Sequence, residues 1–362
     1  MSDSSGNNLA AKKRIPVKRW IVLAMIVLGA YAAFFGPTSL KPISPVVVLP
    51  GEPTGLAIGG FQITNTILAT LIADVLLLLM GFGAWRFARS GSLVPAGFYN
   101  FFEFLVEFLW NTVEGAAGKW ARRIFPVVGT IFLLIFVANM IKLVPGFESI
   151  GRLKEVHKGV GYAPVELFRI GNLPVYTIDK GQPVQPEVHE GGEEVAAHEG
   201  ESTVGSEKTK ELCHACEVVP FLRGSATDLN FPFALAVIAV VMTQVMGVWA
   251  LGPRYFEKFF QFRALISGGP FGAINFVVGL LEVILEFAKI LSFGFRLFGN
   301  IFAGALLLSI VGALTAIIVP PGLYLFEVFF GIIQAYVFFL LATMFLSGAT
   351  VSHHGSDHAE AH

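Results

Sequence analysis

The stretch FGAINFVVGLLEVILEFAKILSFGFRLFGNIFAGALLLSIVGAL, residues 271–314, decides how this chain is read. At about 1.5 Å per residue a helix through it spans about 60 Å, twice the ~30 Å hydrocarbon core of a bilayer. It must therefore tilt steeply or break. Glu282, Glu286, Lys289, Ser292, Arg296 and Asn300 are polar groups that a lipid-facing helix does not tolerate. Lys289, Ser292, Arg296 and Asn300, spaced by three, four and four, share one stripe facing protein or water; Glu282 lies about 40° off that line. Arg296 is flanked by Phe293, Gly294, Phe295, Leu297 and Phe298, with no acid within three residues. A charge at mid-bilayer costs from ~2.5–3.5 to ~10–17 kcal/mol, so an isolated Arg there marks a functional site. Its guanidinium is a fixed positive charge, suited to repelling protons or engaging a partner's carboxylate. The plain alternative is a packing ion pair with Glu282, Glu286 or Glu327, although a buried pair alone seldom stabilises.

Composition supports the membrane reading. Of 362 residues, 54% are hydrophobic and only 14% charged, where a soluble domain carries roughly 25%. Phe occurs 35 times, the mean hydropathy is +0.69, and the net charge is −1. These values exclude a disordered chain, a nucleic-acid-binding arm and an ordinary cytosolic enzyme. They predict an all-α polytopic membrane protein with about five membrane helices plus an interfacial amphipathic helix.

The pass along the chain begins with 1–36, a signal peptide or signal anchor: five basic residues between Lys12 and Arg19, then the apolar run from Trp20. An exported loop, 37–60, follows. The first membrane helices occupy 61–145, with a span Ile63–Phe87 and another Ile124–Val144. Between them, 98–113 reads as an amphipathic helix at the inner interface, with Glu103, Glu107 and Glu114 on one side. Lys142, near the outer end of the second span, is read as snorkelling to the interface. An acidic exported insert covers 146–222. Thirteen of the 26 acids fall between Gly146 and Glu217, and 187–201 is expected to be disordered. Membrane helices return over 223–350, and 351–362 is a polar cytoplasmic tail. Basic clusters at Arg86/Arg89, Lys119/Arg122/Arg123 and Arg254/Lys258/Arg263 put both termini inside and the insert outside.

Phe293-Gly-Phe-Arg296-Leu-Phe-Gly-Asn300-Ile-Phe-Ala-Gly304 closely resembles the signature of the a subunit of bacterial F-type ATP synthases. Further matches are Ala226-Thr-Asp228-Leu-Asn230, Asn139 with Pro145, and Ile333-Gln334-Ala335-Tyr336-Val337-Phe338. The resemblance covers about 61–145 and 224–350. It implies a subunit of the inner membrane whose two long, tilted C-terminal helices pack against a ring of c subunits. Two half-channels would lead to the ring carboxylate, with Arg296 as the essential charge separating them and Gln334 and Asn300 nearby. Glu282, Glu286, Lys289 and Ser292 would lie on the cytoplasmic side; Glu327, Asn230 and Asn139 on the exported side. The implied partners are the c-ring, the b subunits of the peripheral stalk, the remaining complex and the bilayer.

The family pattern is not followed everywhere. Where many bacterial members have an acid nine residues after the arginine, this chain has Ala305; Glu327 stands where they have a His. The exported path then depends on one acid. Gly294, Gly299 and Gly304 recur every five residues, for close helix packing, for a groove admitting a ring helix, or for both. Cys213 and Cys216 admit a disulfide, free thiols or half a zinc site with His189 or His198; an exported setting favours the disulfide. No Gly-x-x-x-x-Gly-Lys-Ser/Thr loop occurs, so neither nucleotide nor nucleic acid nor any cofactor is expected to bind. A stand-alone transporter is disfavoured by the lack of internal repeats or paired broken helices.

Overall fold

The computed structural model describes residues 51–89, 97–144, 146–148, 150–156, 161–170, 173–184, 213, 215–259, 269–314 and 319–351, with isolated positions between 20 and 31. The segments 187–201 and 351–362 and the termination at Pro145 lie largely or wholly outside these residues, as does most of the N-terminal signal.

Six long helices dominate: α1 (Asn65–Ala88), α2 (Phe98–Ala117), α3 (Ala121–Ile141), α4 (Asn230–Leu251), α5 (Gly269–Leu314) and α6 (Val319–Ala349). Among the described residues, four stretches are apolar and long enough to cross a membrane: 65–87, 99–141, 230–256 and 321–349. The polar helix α5 is continuous over 46 residues, which is about 69 Å. Of the two options read from its length, break or tilt, the break is not taken. Local signals set the helix ends. Thr64 caps α1, its hydroxyl accepting from the Ile67 amide at 3.4 Å. Gly252 ends α4 at φ 66°, where a side chain would be strained.

α2 and α3 are joined by a single 3-10 turn at Gly118–Trp120. Glu103, Glu107 and Glu114 are all exposed on α2, while Leu109 and Val113 face the core. α3 and α6 run antiparallel: Phe132 packs edge-on against Phe339 at 5.8 Å, and Asn139 meets Gly331 further along. α5 and α6 are also antiparallel, with Phe293 against Phe338 at 4.7 Å and Asn300 beside Gln334. The core lies where α3, α4, α5 and α6 meet, and its small members Ala236, Ala239, Ala335 and Ala342 let the helices approach closely.

Gly331 shows how tight this is. A Cβ there would lie 3.1 Å from Met140 Cε and 3.2 Å from Asn139 Cβ. Gly331→Val is expected to cost about 1–3 kcal/mol by overpacking, read as a lower Tm of the solubilised complex. An unchanged Tm would mean that α3 and α6 are not in this contact.

The sequence reading did not anticipate strands. A hairpin, β1 (Pro53–Ile58) with β2 (Phe61–Thr64), turns through Gly59 and Gly60, both at positive φ. Within the insert, β3 (Gly151–Glu155), β4 (Gly161–Ile170), β5 (Leu173–Val184) and β6 (Cys216–Pro220) form an antiparallel sheet in the order β3-β6-β4-β5. Cys213 and Cys216 form a disulfide at the start of β6, and Cys216 is buried against Tyr162 and Ile178. The sheet is tied to the start of α1. Asn65 Nδ2 donates to the Pro220 carbonyl at 3.2 Å, and Arg152 donates to the carbonyl of Pro53. The insert and the loop before α1 thus share one end of the bundle. At the other end, Arg123 lies over the rings of Trp249 and Trp120 at 4.1 and 5.1 Å, and Ser347 donates to the Ala116 carbonyl.

Candidate functional site

Arg296 sits mid-way along α5 on an exposed face. None of the three acids offered as its partner binds it. Glu286 pairs with Lys289 at 2.8 Å, Glu327 pairs with Lys142 at 3.5 Å, and among the described residues no carboxylate lies within ion-pair distance of Arg296. The packing explanation for the arginine is thereby removed. Its surroundings are apolar and exposed, with Phe287, Leu291 and Phe295 all more than half accessible. The stripe straddles two faces: Ser292 and Arg296 point outward, whereas Lys289 and Asn300 are partly covered.

The proposed glycine groove is only partly present. A Cβ on Gly294 would meet Phe233 at 3.0 Å, and one on Gly304 would meet Glu327 Oε1 at 3.1 Å. Both glycines serve packing. Only Gly299 opens onto free space, next to Ser292 and Ala303 on the exposed face.

Towards the insert end, a cavity of about 150 Å³ is lined by Lys142, Asn300, Gly304, Glu327 and Gly331 with apolar neighbours. Lys142 does not snorkel: its side chain is 6% exposed and Glu327's is 9%, and the two are paired. The reason is local, since α6 places a carboxylate opposite the end of α3. Asn139, buried, donates to the Gly331 carbonyl at 3.1 Å. Asn300 Nδ2 faces Gln334 Oε1 at 3.5 Å, and Gln334 Nε2 is buried with no hydrogen-bond partner among the described residues. A buried amide donor left open is costly unless something else uses it.

Asn230 is not part of this group. Its side chain is exposed, and its amide donates to Asp228 Oδ1 at 3.1 Å. The buried acid here is Asp228, whose Oδ2 accepts from Thr66 at 3.0 Å. Thr66 and Asp228 are 162 positions apart, so no spacing rule could have paired them.

Towards the other end lies a second polar group. Glu286 is buried, and Lys289 also lies 4.9 Å over the Phe345 ring. Tyr255, within electrostatic range of both Glu282 and Glu286, donates to Gln244 Oε1 at 2.8 Å. Gly247 makes room for the Tyr255 ring, which would sit 2.2 Å from a Cβ there. Gln244 and Tyr255 were missed in the sequence because each reads as an ordinary residue of an apolar helix end. Ser292 is not in this group.

Between the two groups the bundle interior is closed. Phe293, Leu297 and Ile301 are 3%, 0% and 4% exposed, and Phe293 packs on Phe338 and Phe345. Arg296 lies about 15 Å along the helix from Glu286 and about 12 Å from Gly304.

Comparison with known proteins agrees with this arrangement. The family model described as ATP synthase A chain matches residues 67–347. ATP synthase subunit a of Mycobacterium ulcerans is 27% identical over 294 residues, covering 79% of this chain and 86% of that protein. Its counterpart in Syntrophobacter fumaroxidans is 24% identical over 276 residues, covering 76% and 80%. That of Helicobacter pylori strain Shi470 is 24% identical over 286 residues, covering 79% and 89%. With a match over most of its length, the chain belongs to the ATP synthase A chain family, that of the proton-translocating membrane subunit.

Proposed function

We propose that the two polar groups are the half-channels of a rotary proton path and that Arg296 separates them against the ring. The chain works with the c-ring and the rest of the ATP synthase and does not itself carry the nucleotide chemistry. In this reading it sits in the bacterial inner membrane with the insert exported and the C-terminus cytoplasmic. The basic end of the bundle, with Arg86, Arg123 and Arg254, supports that orientation.

During synthesis a proton enters from the exported side through the cavity at Glu327 and Asn300 and reaches a ring carboxylate. After the ring has turned, the carboxylate gives up its proton towards Glu282, Glu286, Lys289 and Tyr255. Arg296 favours the ionised carboxylate as it passes, because a close positive charge lowers a carboxylate's proton affinity by ~1–3 pH units. The dry layer of Phe293, Leu297 and Ile301 keeps the halves from joining through the bundle interior. Each transfer draws ~2.3 kcal/mol per 100 mV from the membrane potential. Gln334, with its open amide, is placed to hold the carboxylate or the water beside it. The b subunits are assigned to the complex by the same reading.

The single observation that carries this proposal is Arg296 itself: an exposed, unpaired guanidinium on a membrane helix between two buried polar groups. Among the described residues it has no counter-charge, and in this reading a ring carboxylate supplies one. Cysteines at Ser292, Phe295 or Ala303, all exposed on this face, are expected to cross-link to the ring subunit in the intact complex. A cysteine at buried Leu297 is not. Absence of cross-links from all three exposed positions would sink the reading.

A further inference from the structure

We propose that Glu148 is the second acid of the exported path, acting as an alternate counter-ion for Lys142 whenever Glu327 carries a proton. This rests on Glu327 as the inlet acid, and the test below separates the two ideas.

The structure poses a problem that Glu327 alone does not solve. Lys142 follows directly on α3, its side chain is 6% exposed, and its ion pair is with Glu327 at 3.5 Å. If Glu327 takes up a proton, that pair loses its negative charge. A largely covered ammonium left without a counter-charge is unfavourable, so Lys142 needs a second partner at that stage.

A second carboxylate lies at the same corner. Gly146, at φ 92°, turns the chain after α3, and Glu148 is brought back so that its Oε1 accepts the Gly224 amide at 2.8 Å. Gly224 marks where the two side chains converge. A Cβ on it would lie 3.2 Å from Glu148 Oε1 and 3.2 Å from Lys142 Cδ. The lysine stem thus runs beside the Glu148 carboxylate while its tip reaches Glu327. Rotation about the last bonds of the stem exchanges one acid for the other. Glu148 is exposed, whereas Glu327 and Lys142 are part-buried with side chains only 9% and 6% exposed, so the acids are ordered from mouth to interior.

A second cation at this corner is Arg223, partly buried and next in sequence to Gly224, and the remaining polar groups are engaged elsewhere. Asn139 on α3 is committed to the Gly331 carbonyl, and Asn300 on α5 faces Gln334. Asp228, before α4, accepts from Thr66 and from the Asn230 amide. Tyr324, one turn before Glu327 on α6, is within electrostatic range of both Glu148 and Glu327.

The cycle balances in charge and protons. At rest Lys142 is paired with ionised Glu327, and Glu148 is ionised at the mouth. A proton from water on the exported side binds Glu327, and Lys142 turns to Glu148. Neutral Glu327 then passes its proton to water in the cavity, regains its charge, and Lys142 returns. The ammonium keeps its three protons throughout. Lys142 and Glu148 are positioning residues, and the proton carrier is Glu327.

The test uses the whole complex in proteoliposomes, with ATP synthesis driven by acid–base transitions and the pH of the compartment facing the insert varied. In Glu148→Gln, Lys142 has one partner only, so loading Glu327 demands more acid. The half-maximal pH is expected to move about one unit to the acid side, with about tenfold slower synthesis at neutral pH. Glu148→Lys should move it further in the same direction. Lys142→Met releases Glu327 and should move the profile the opposite way, while Lys142→Arg restores it. A Glu148→Gln profile that coincides with wild type, or a Lys142→Met shift in the same direction as Glu148→Gln, overturns the proposal. If Glu327→Gln still flattens the profile, that failure leaves Glu327 as the inlet acid. If Glu327→Gln also changes nothing, the inlet reading falls with it.

Discussion

Arg296→Ala is expected to abolish proton-driven ATP synthesis while the complex still assembles. Arg296 makes no ion pair among the described residues and its side chain is exposed. Its removal therefore leaves no buried partner stranded and opens no cavity in the core. What is lost is the positive charge that a ring carboxylate meets at this level. At 4 Å and an effective dielectric of about 20, that charge contributes about 4 kcal/mol to the ionised form, roughly a thousandfold in the ionisation equilibrium. Without it the carboxylate keeps its proton and the ring has no directed step. Vesicles carrying the variant should show no coupled synthesis and a raised passive proton leak. Arg296→Lys, a compact charge on a more flexible stem, should recover only part of the function. Coupled synthesis at the wild-type rate in Arg296→Ala would overturn the mechanism.

Glu327→Gln is expected to slow synthesis by at least tenfold and to flatten its dependence on pH in the compartment facing the insert. Glu327 supplies a titrating group to the cavity of about 150 Å³, and Ala305 stands where another family acid would be expected. In this variant Lys142 is left to Glu148 alone, the partner it takes whenever Glu327 is neutral, so the complex is expected to assemble. The double variant Lys142→Met with Glu327→Gln removes both charges and is expected to assemble. Its synthesis should remain slow and insensitive to pH in that compartment, because no acid there can load a proton. A double variant that assembles and keeps the wild-type pH profile would remove Glu327 from the proton path.

Much of the site was legible in the residues themselves. An arginine amid phenylalanines is a cost that local sequence exposes, and helical spacing is enough to place Asn300 one turn away. Gln334 stands out as a polar residue seven positions after Glu327 in an apolar helix, the resemblance places it near Arg296, and the structure adds its open amide beside Asn300. The strands were not legible. β4 and β5 lie in an insert whose acidic composition reads as solvated chain, and β6 joins their sheet from more than thirty residues further on. Lys142 was misread for a related reason: a lysine at a helix end snorkels by default, and only the opposing helix shows that a carboxylate awaits it.

The division between sequence and tertiary structure follows from the range of the forces involved. Transfer of apolar side chains and the cost of a lone charge are properties of short windows, so the sequence alone determined a polytopic helical membrane protein and singled out Arg296 as the lone charge in its apolar helix. Which acid answers which base depends on contacts between distant positions. Lys142 and Glu327 are 185 residues apart, and Thr66 and Asp228 are 162 apart. Ion pairing falls off over a few ångströms, so only helix packing could decide that Glu286 and Glu327 are taken by lysines and that Arg296 has no carboxylate partner among the described residues.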